Sequence, residues 1–238
     1  MKNIFLIALI LLSTSMVFGQ KKVKGNGKMI TIARTTNSYD GINCAGSFDY
    51  ILVAGTEGNI TLEGEENILE NLETYVEDGQ LHVKPKDNVS LSPSSKMKVV
   101  VTIPFTDINS IALAGSGDLR NKDLISANKL TTSVAGSGDM VLKVKVDNLK
   151  GSLAGSGDVS YEGSSEKMTF SIAGSGDLHA DKLNTSEVEI AISGSGNAEV
   201  FCNKSIKANV AGSGDIKYKG NPEFEDINVS GSGSAKSI

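Results

Sequence analysis

Ala114-Gly115-Ser116-Gly117-Asp118-Leu119 is the first of seven copies of one phrase, small-Gly-Ser-Gly-acid-apolar. The phrase returns as Ala135 to Met140, Ala154 to Val159, Ala173 to Leu178, Ser193 to Ala198, Ala211 to Ile216 and Ser230 to Ala235. Asn197 stands in the acidic place of the fifth copy and Ser234 in that of the seventh. The first glycines of successive copies are 21, 19, 19, 20, 18 and 19 residues apart. Fourteen of the 26 glycines lie in the copies, so the glycine excess is a repeat and not low complexity. A fixed period near 20 residues marks a solenoid, in which each repeat buries its apolar face only against its neighbours.

The segments between the phrases say which solenoid. Leu130-Thr131-Thr132-Ser133-Val134, Met168-Thr169-Phe170-Ser171-Ile172 and Val188-Glu189-Ile190-Ala191-Ile192 alternate apolar with polar or small residues. That period of two is a strand with one buried face. A second strand leaves each phrase, as in Met140-Val141-Leu142 and Ile216-Lys217-Tyr218. Gly-Ser-Gly between them reads as a tight corner whose backbone angles other residues resist. No sustained helical period interrupts the repeats, and the Leu/Asn pattern of leucine-rich repeats is absent. The expected fold is all-β, a parallel β-helix of about seven coils of 18–21 residues. At ~4.8 Å per coil the rod is roughly 30 Å long. Val134, Leu153, Ile172, Ile192, Val210 and Val229 are expected to point inward and stack as one column.

Residues 20–110 are less regular. Met29 to Ile32, Tyr50 to Val53, Asn59 to Leu62, Leu81 to Val83 and Met97 to Ile103 read as strands, and Ile68 to Val76 as a short helix or a turn between strands. Ala45-Gly46-Ser47-Phe48-Asp49-Tyr50 is a degenerate copy of the phrase. The front is therefore either a set of widened early coils or a separate β cap ahead of the repeat region, residues 111–238. Either would cover the first solenoid edge, whose open strands otherwise invite aggregation. Asp87 to Lys96, Ser-rich with Pro93, reads as a loop.

The 238 residues carry a formal charge of -5, with 39% hydrophobic and 21% charged residues, so the chain is long and apolar enough for a sizeable core. An acidic chain without a basic run offers no nucleic-acid footprint. Lys2, the apolar Ile4 to Leu12 and Val17-Phe18-Gly19 read as a secretory signal peptide over residues 1–19, cut after Gly19. The apolar stretch is shorter than the roughly 20 residues of a membrane span, and no later segment is expected to cross a membrane. Export permits disulfides. Cys44 and Cys202 are either bridged or two buried thiols.

Asp118, Asp139, Asp158, Asp177 and Asp215 should form a column, with Asn197 within it. Carboxylates stacked at ~4.8 Å repel by roughly 1 kcal/mol even in water. The preferred compensation is hydrogen bonding from nearby backbone N–H groups, closing Asx-type turns. The alternative is a row of Ca²⁺ ions on these five acids. With 2 His and 2 Cys, no transition-metal site or other cofactor is expected. Catalysis would need one place that differs. Arg34 and Arg120 are the only arginines, and His82 and His179 the only histidines. Nothing puts His179 beside Arg120, three coils away, although a carboxylate pair suited to glycoside hydrolysis can be drawn from the column.

The signal peptide, the strand-rich front and the Ala-Gly-Ser-Gly-Asp copies resemble the head-GIN domain family of putative autotransporter adhesins, over about residues 35–238. The resemblance implies a right-handed parallel β-helix and an exported setting: periplasm, outer surface or medium. The expected function is a non-catalytic exported solenoid acting as an adhesin-like surface module, with a protein or glycan partner. The alternative is a carbohydrate-active enzyme or glycan-binding β-helix. Ile227 and Val229 sit in the last coil, so a monomer or a weak edge-mediated dimer is expected.

Overall fold

The computed structural model describes residues 20–238; the signal-peptide expectation for Met1 to Gly19 lies outside the described residues. The elements run β1 (Lys21–Lys24), β2 (Met29–Thr35), β3 (Gly41–Gly46), β4 (Asp49–Ala54), β5 (Asn59–Glu65), α1 (Glu66–Leu69), β6 (Leu72–Glu77), β7 (Gln80–Pro85), β8 (Val89–Ser92) and β9 (Val100–Phe105). The repeats supply β10 (Ser110–Gly115), β11 (Asp118–Asn121), β12 (Ile125–Gly136), β13 (Met140–Gly155), β14 (Val159–Gly174), β15 (Leu178–Gly194), β16 (Ala198–Phe201), β17 (Ser205–Gly212), β18 (Asp215–Lys219), β19 (Phe224–Gly231) and β20 (Ser234–Ser237). The fold is the expected β-solenoid of stacked parallel coils, about seven turns.

Each coil lies in register on the next. β10, β12, β13, β14, β15, β17 and β19 pair in parallel, matching Gly115, Gly136, Gly155, Gly174, Gly194, Gly212 and Gly231. The strands leaving the phrase pair likewise, ending with β16, β18 and β20. From β13 to β15 the strand leaving one phrase runs on into the strand entering the next. What reads in sequence as two or three short strands is there one bent strand of 16 or 17 residues. The degenerate phrase is built the same way: Gly46 pairs with Gly115 and Asp49 with Asp118. β7 and β9 stack in parallel beneath β3 and β4. Antiparallel β6 and β5–β2 then cover this end.

Two details of the front depart from the sequence reading. Ile68 to Val76 divides between α1 and β6. The Arg34 guanidinium donates to the carbonyls of Leu69 (2.6 Å) and Leu72 (2.7 Å), satisfying acceptors at the end of α1. The expected loop from Asp87 to Lys96 contains β8, which pairs in parallel with β1.

The core is a set of stacked columns. Val134, Leu153, Ile172, Ile192 and Val210 are buried as expected, and Cys44 and Leu113 extend the same column toward the front. Val229 keeps the register but is 41% exposed, because among the described residues no coil lies beyond it. Gly151 stands in register between Thr132 and Phe170. Its missing side chain leaves room for the Phe170 ring and the Tyr161 hydroxyl, which pairs with Thr132. Cys44 and Cys202 are free and buried, so of the two alternatives the thiols are found. Burial raises the pKa of both, Cys44 well above the usual thiol value.

Candidate functional site

The corner explains the phrase. The first glycine of each copy has a positive φ, from +112° at Gly115 to +140° at Gly212. At Gly115, Gly136, Gly155, Gly174 and Gly212 its carbonyl accepts two N–H groups of the following coil: Gly136 O takes Ser156 N–H at 2.9 Å and Gly157 N–H at 3.2 Å. A Cβ on Gly155 or Gly157 would run into the glycine carbonyl of the coil beneath. Only glycine combines that angle with that approach.

The acids form a ladder. Asp139 Oδ1 accepts the Asp158 N–H at 2.9 Å, and Asp158 Oδ1 the Asp177 N–H at 3.0 Å. Asp177 Oδ1 accepts the Asn197 N–H at 2.6 Å, and Asn197 Oδ1 the Asp215 N–H at 3.0 Å. The first step, Asp118 to Asp139, is looser at 3.5 Å. Each acid thus ties down the next coil; it does not close its own turn, as the sequence alone suggested. The backbone N–H it receives supplies the positive dipole that offsets the repulsion along the column. Asn197 also donates its Nδ2 to Asp177 at 3.1 Å, a bond that a carboxylate at 197 would lack. Ser234 ends the column by donating its hydroxyl to Asp215 at 2.7 Å, which holds the Asp215 carboxyl below its usual pKa. Among the described residues no three His, Cys, Asp or Glu side chains converge in a metal-holding arrangement.

The remaining candidates stay apart. Arg120, Val141, Ser160 and His179 share one outward column, so Arg120 and His179 are three coils from each other. His82 lies at the front in β7, stacked on Tyr75 with ring centroids 4.9 Å apart. His179 borders a recess of about 310 Å³ lined also by Asp177, Asn197, Glu199, Asp215 and Lys217. There Lys217 Nζ lies 3.5 Å from Glu199 Oε1.

A larger feature, none of whose residues the sequence singled out, is a trough of about 630 Å³ across β12 to β15. One rail is the in-register column Ser126, Lys145, Ser164, Asn184. The other is formed by Asn128, Asp147, Glu166 and Ser186, and Ala127, Val146 and Ser165 make the floor between them. The sequence signal was available: each rail repeats at the coil period, but its residue types differ from copy to copy and form no motif. A second recess, of about 450 Å³, shares Ser126, Ala127 and Asn128 and extends the trough toward Asp40 and Asp107.

Comparison with known proteins sets these features in a family. The chain is 24% identical to a crystal structure of a "putative adhesin" from Bacteroides fragilis, with a TM-score of 0.82 over 91% of this chain and all of that one. It is 27% identical to a "putative lipid binding protein" from Parabacteroides distasonis, with a TM-score of 0.76 over 92% of this chain and all of that one. A "putative adhesin" from Parabacteroides merdae is 23% identical, with a TM-score of 0.73 over 92% of this chain and 99% of that one. No curated protein matches the chain. The sequence pattern described as "Putative auto-transporter adhesin, head GIN domain" matches residues 38–222, well over half of the chain, and the protein belongs to that family.

Proposed function

We propose that the protein is a non-catalytic, exported adhesin-like module that holds a partner at the cell envelope or outside it. One observation carries this reading: two adjacent outward columns present small or short polar residues coil after coil. Ala135, Ala154, Ala173, Ser193, Ala211 and Ser230 form one such column, and Ser133, Ser152, Ser171, Ala191, Asn209 and Asn228 its neighbour. A surface that repeats itself offers many equal, weak contacts, and these add through multivalency. An active site needs a place unlike its surroundings. The recess beside His179 is the nearest to one. Its Lys217 is engaged with Glu199, and Asp215 is shifted down, opposite to what a general acid needs. Export rests on the N-terminal sequence and on the family.

The test is retention. Beads carrying many copies of residues 20–238 should adhere to bacterial or host-cell surfaces, and soluble protein should compete only at much higher concentration. Absence of adherence to every surface tried, or cleavage of a polysaccharide by the soluble protein, would sink the reading.

A further inference from the structure

We propose that the trough across β12 to β15 binds a neutral glycan strand lying along the solenoid axis. The proposal deepens the adhesin-like reading and rests on it for its biological setting.

The rails mix donors and acceptors. Lys145 and Asn128 donate, Asp147 accepts, and the hydroxyls of Ser126 and Ser164 do both, while Ser186 Oγ donates to Glu166 Oε2 at 3.0 Å and leaves that carboxylate its other acceptor sites. One lysine against two carboxylates leaves little net charge, which suits neither a polyanion nor a polycation. Among the described residues the side chains of Lys145 and Asp147 have no hydrogen-bond or ion-pair partner, so their polar atoms are available to a ligand. The floor is small and partly apolar, with Ala127 and Val146, which suits the C–H face of a sugar ring.

A peptide fits the same trough poorly. From β12 to β15 the coils are paired with one another along this stretch, and the unpaired front edge of β12, residues 125–130, crosses the end of the trough, so a peptide lying along it has no strand edge to extend. The lining holds no aromatic or large apolar pocket to anchor a side chain. Hydroxyl groups, each both donor and acceptor, are what alternating Ser, Asn, Lys and Asp rails can satisfy. The rails repeat at the coil rise, ~4.8 Å, comparable to the length of one sugar ring. A linear glycan therefore meets a polar residue of each rail at each step, though not the same one. Four rows span roughly 14 Å, so a few rings fill the trough.

Size-graded neutral oligosaccharides of glucose, mannose and N-acetylglucosamine, from the disaccharide upward, should be titrated calorimetrically against residues 20–238. Affinity should climb with chain length and level off once a few rings are bound. The double variant Lys145→Ala/Asp147→Ala should bind about tenfold more weakly with its melting temperature unchanged, and Glu77→Ala, exposed in β6 at the front, should bind as the parent does. In the bead assay, periodate oxidation of the target surface should abolish adherence and protease treatment should spare it. No length-dependent binding by any of the three series, or equal binding by the double variant, would overturn the proposal. So would adherence that resists periodate but not protease, which would point to a protein partner and leave the adhesin-like reading standing. Oligosaccharide binding without cell adherence would instead remove the adhesin-like reading and keep the trough.

Discussion

Gly155 has a φ of +134°, and a side chain there would strike the Gly136 carbonyl. Gly155→Ala should therefore cost about 1–3 kcal/mol, a loss of several degrees in melting temperature by calorimetry. Gly55→Ala, where a Cβ meets only Pro104 at an ordinary 3.6 Å, should be close to neutral. At the acid position the ladder sets a smaller stake. Asp158→Ala orphans the Asp177 N–H and should cost about 0.5–1.5 kcal/mol. EDTA should leave the parent's melting temperature unchanged. A rise of several degrees in millimolar Ca²⁺, lost in Asp158→Ala, would instead put cations on the column. Glu65 is a different kind of acid. It is almost fully buried at the front, accepting from Gly27 N–H (2.6 Å), Ser94 N–H (2.7 Å) and Ser94 Oγ (2.6 Å). The Ser94 hydroxyl and amide, then Gly27, hold its pKa below the usual carboxylate value. A depressed pKa contributes stability that is complete above ~4.3, the unfolded value, and is lost as pH falls through the folded value. Glu65→Gln should therefore be less stable than the parent at neutral pH, and the two melting curves should converge on acidification. A constant gap across pH would show that the carboxylate charge is not what holds Gly27 and Ser94.

Among the elements, β19 is the exposed edge. No further strand pairs on its outer side among the described residues, and Phe224 is 65% exposed. Yet one of its inward positions is not apolar. Leu130, Leu149, Met168, Val188 and Ile206 stack in register, and the next member is Glu225. Burial, and then Glu225, raises the pKa of the neighbouring Tyr218 phenol. A charge at an inward position of an edge strand discourages pairing with another chain, because docking would bury it. The parent should accordingly scatter light as a monomer at micromolar concentration, and Glu225→Val should associate as concentration rises. A parent dimer that dissociates on Val229→Pro would show the edge to be an interface and Glu225 no barrier to it.

At the scale of the molecule, stability passes from coil to coil. Ile172 is buried between Leu153 and Ile192. Ile172→Asp places an unpaired charge in that column and should cost well over about 3 kcal/mol. Hydrogen exchange should show protection lost first in β13, β14 and β15, with the covered front end, β2 to β9, retaining the most. Uniform loss from end to end would mean that front and repeats unfold as one cooperative unit.

The phrase and the alternation determined the solenoid by themselves, because both are local. Glycine at each corner and an apolar residue at every second strand position leave one way to stack. They also placed the inward column residue by residue from Val134 to Val210. What the acids bond to was not legible, because the N–H that each one meets lies 18 to 21 residues away along the chain. The strand in the Asp87 to Lys96 segment was hidden for the same reason: β8 exists through its pairing with β1, not through its own propensity. The trough was hidden more deeply still. Ser126, Lys145, Ser164 and Asn184 share a column but no chemistry. Only the stacking of coils, which turns a spacing along the chain into a distance in space, makes them one surface.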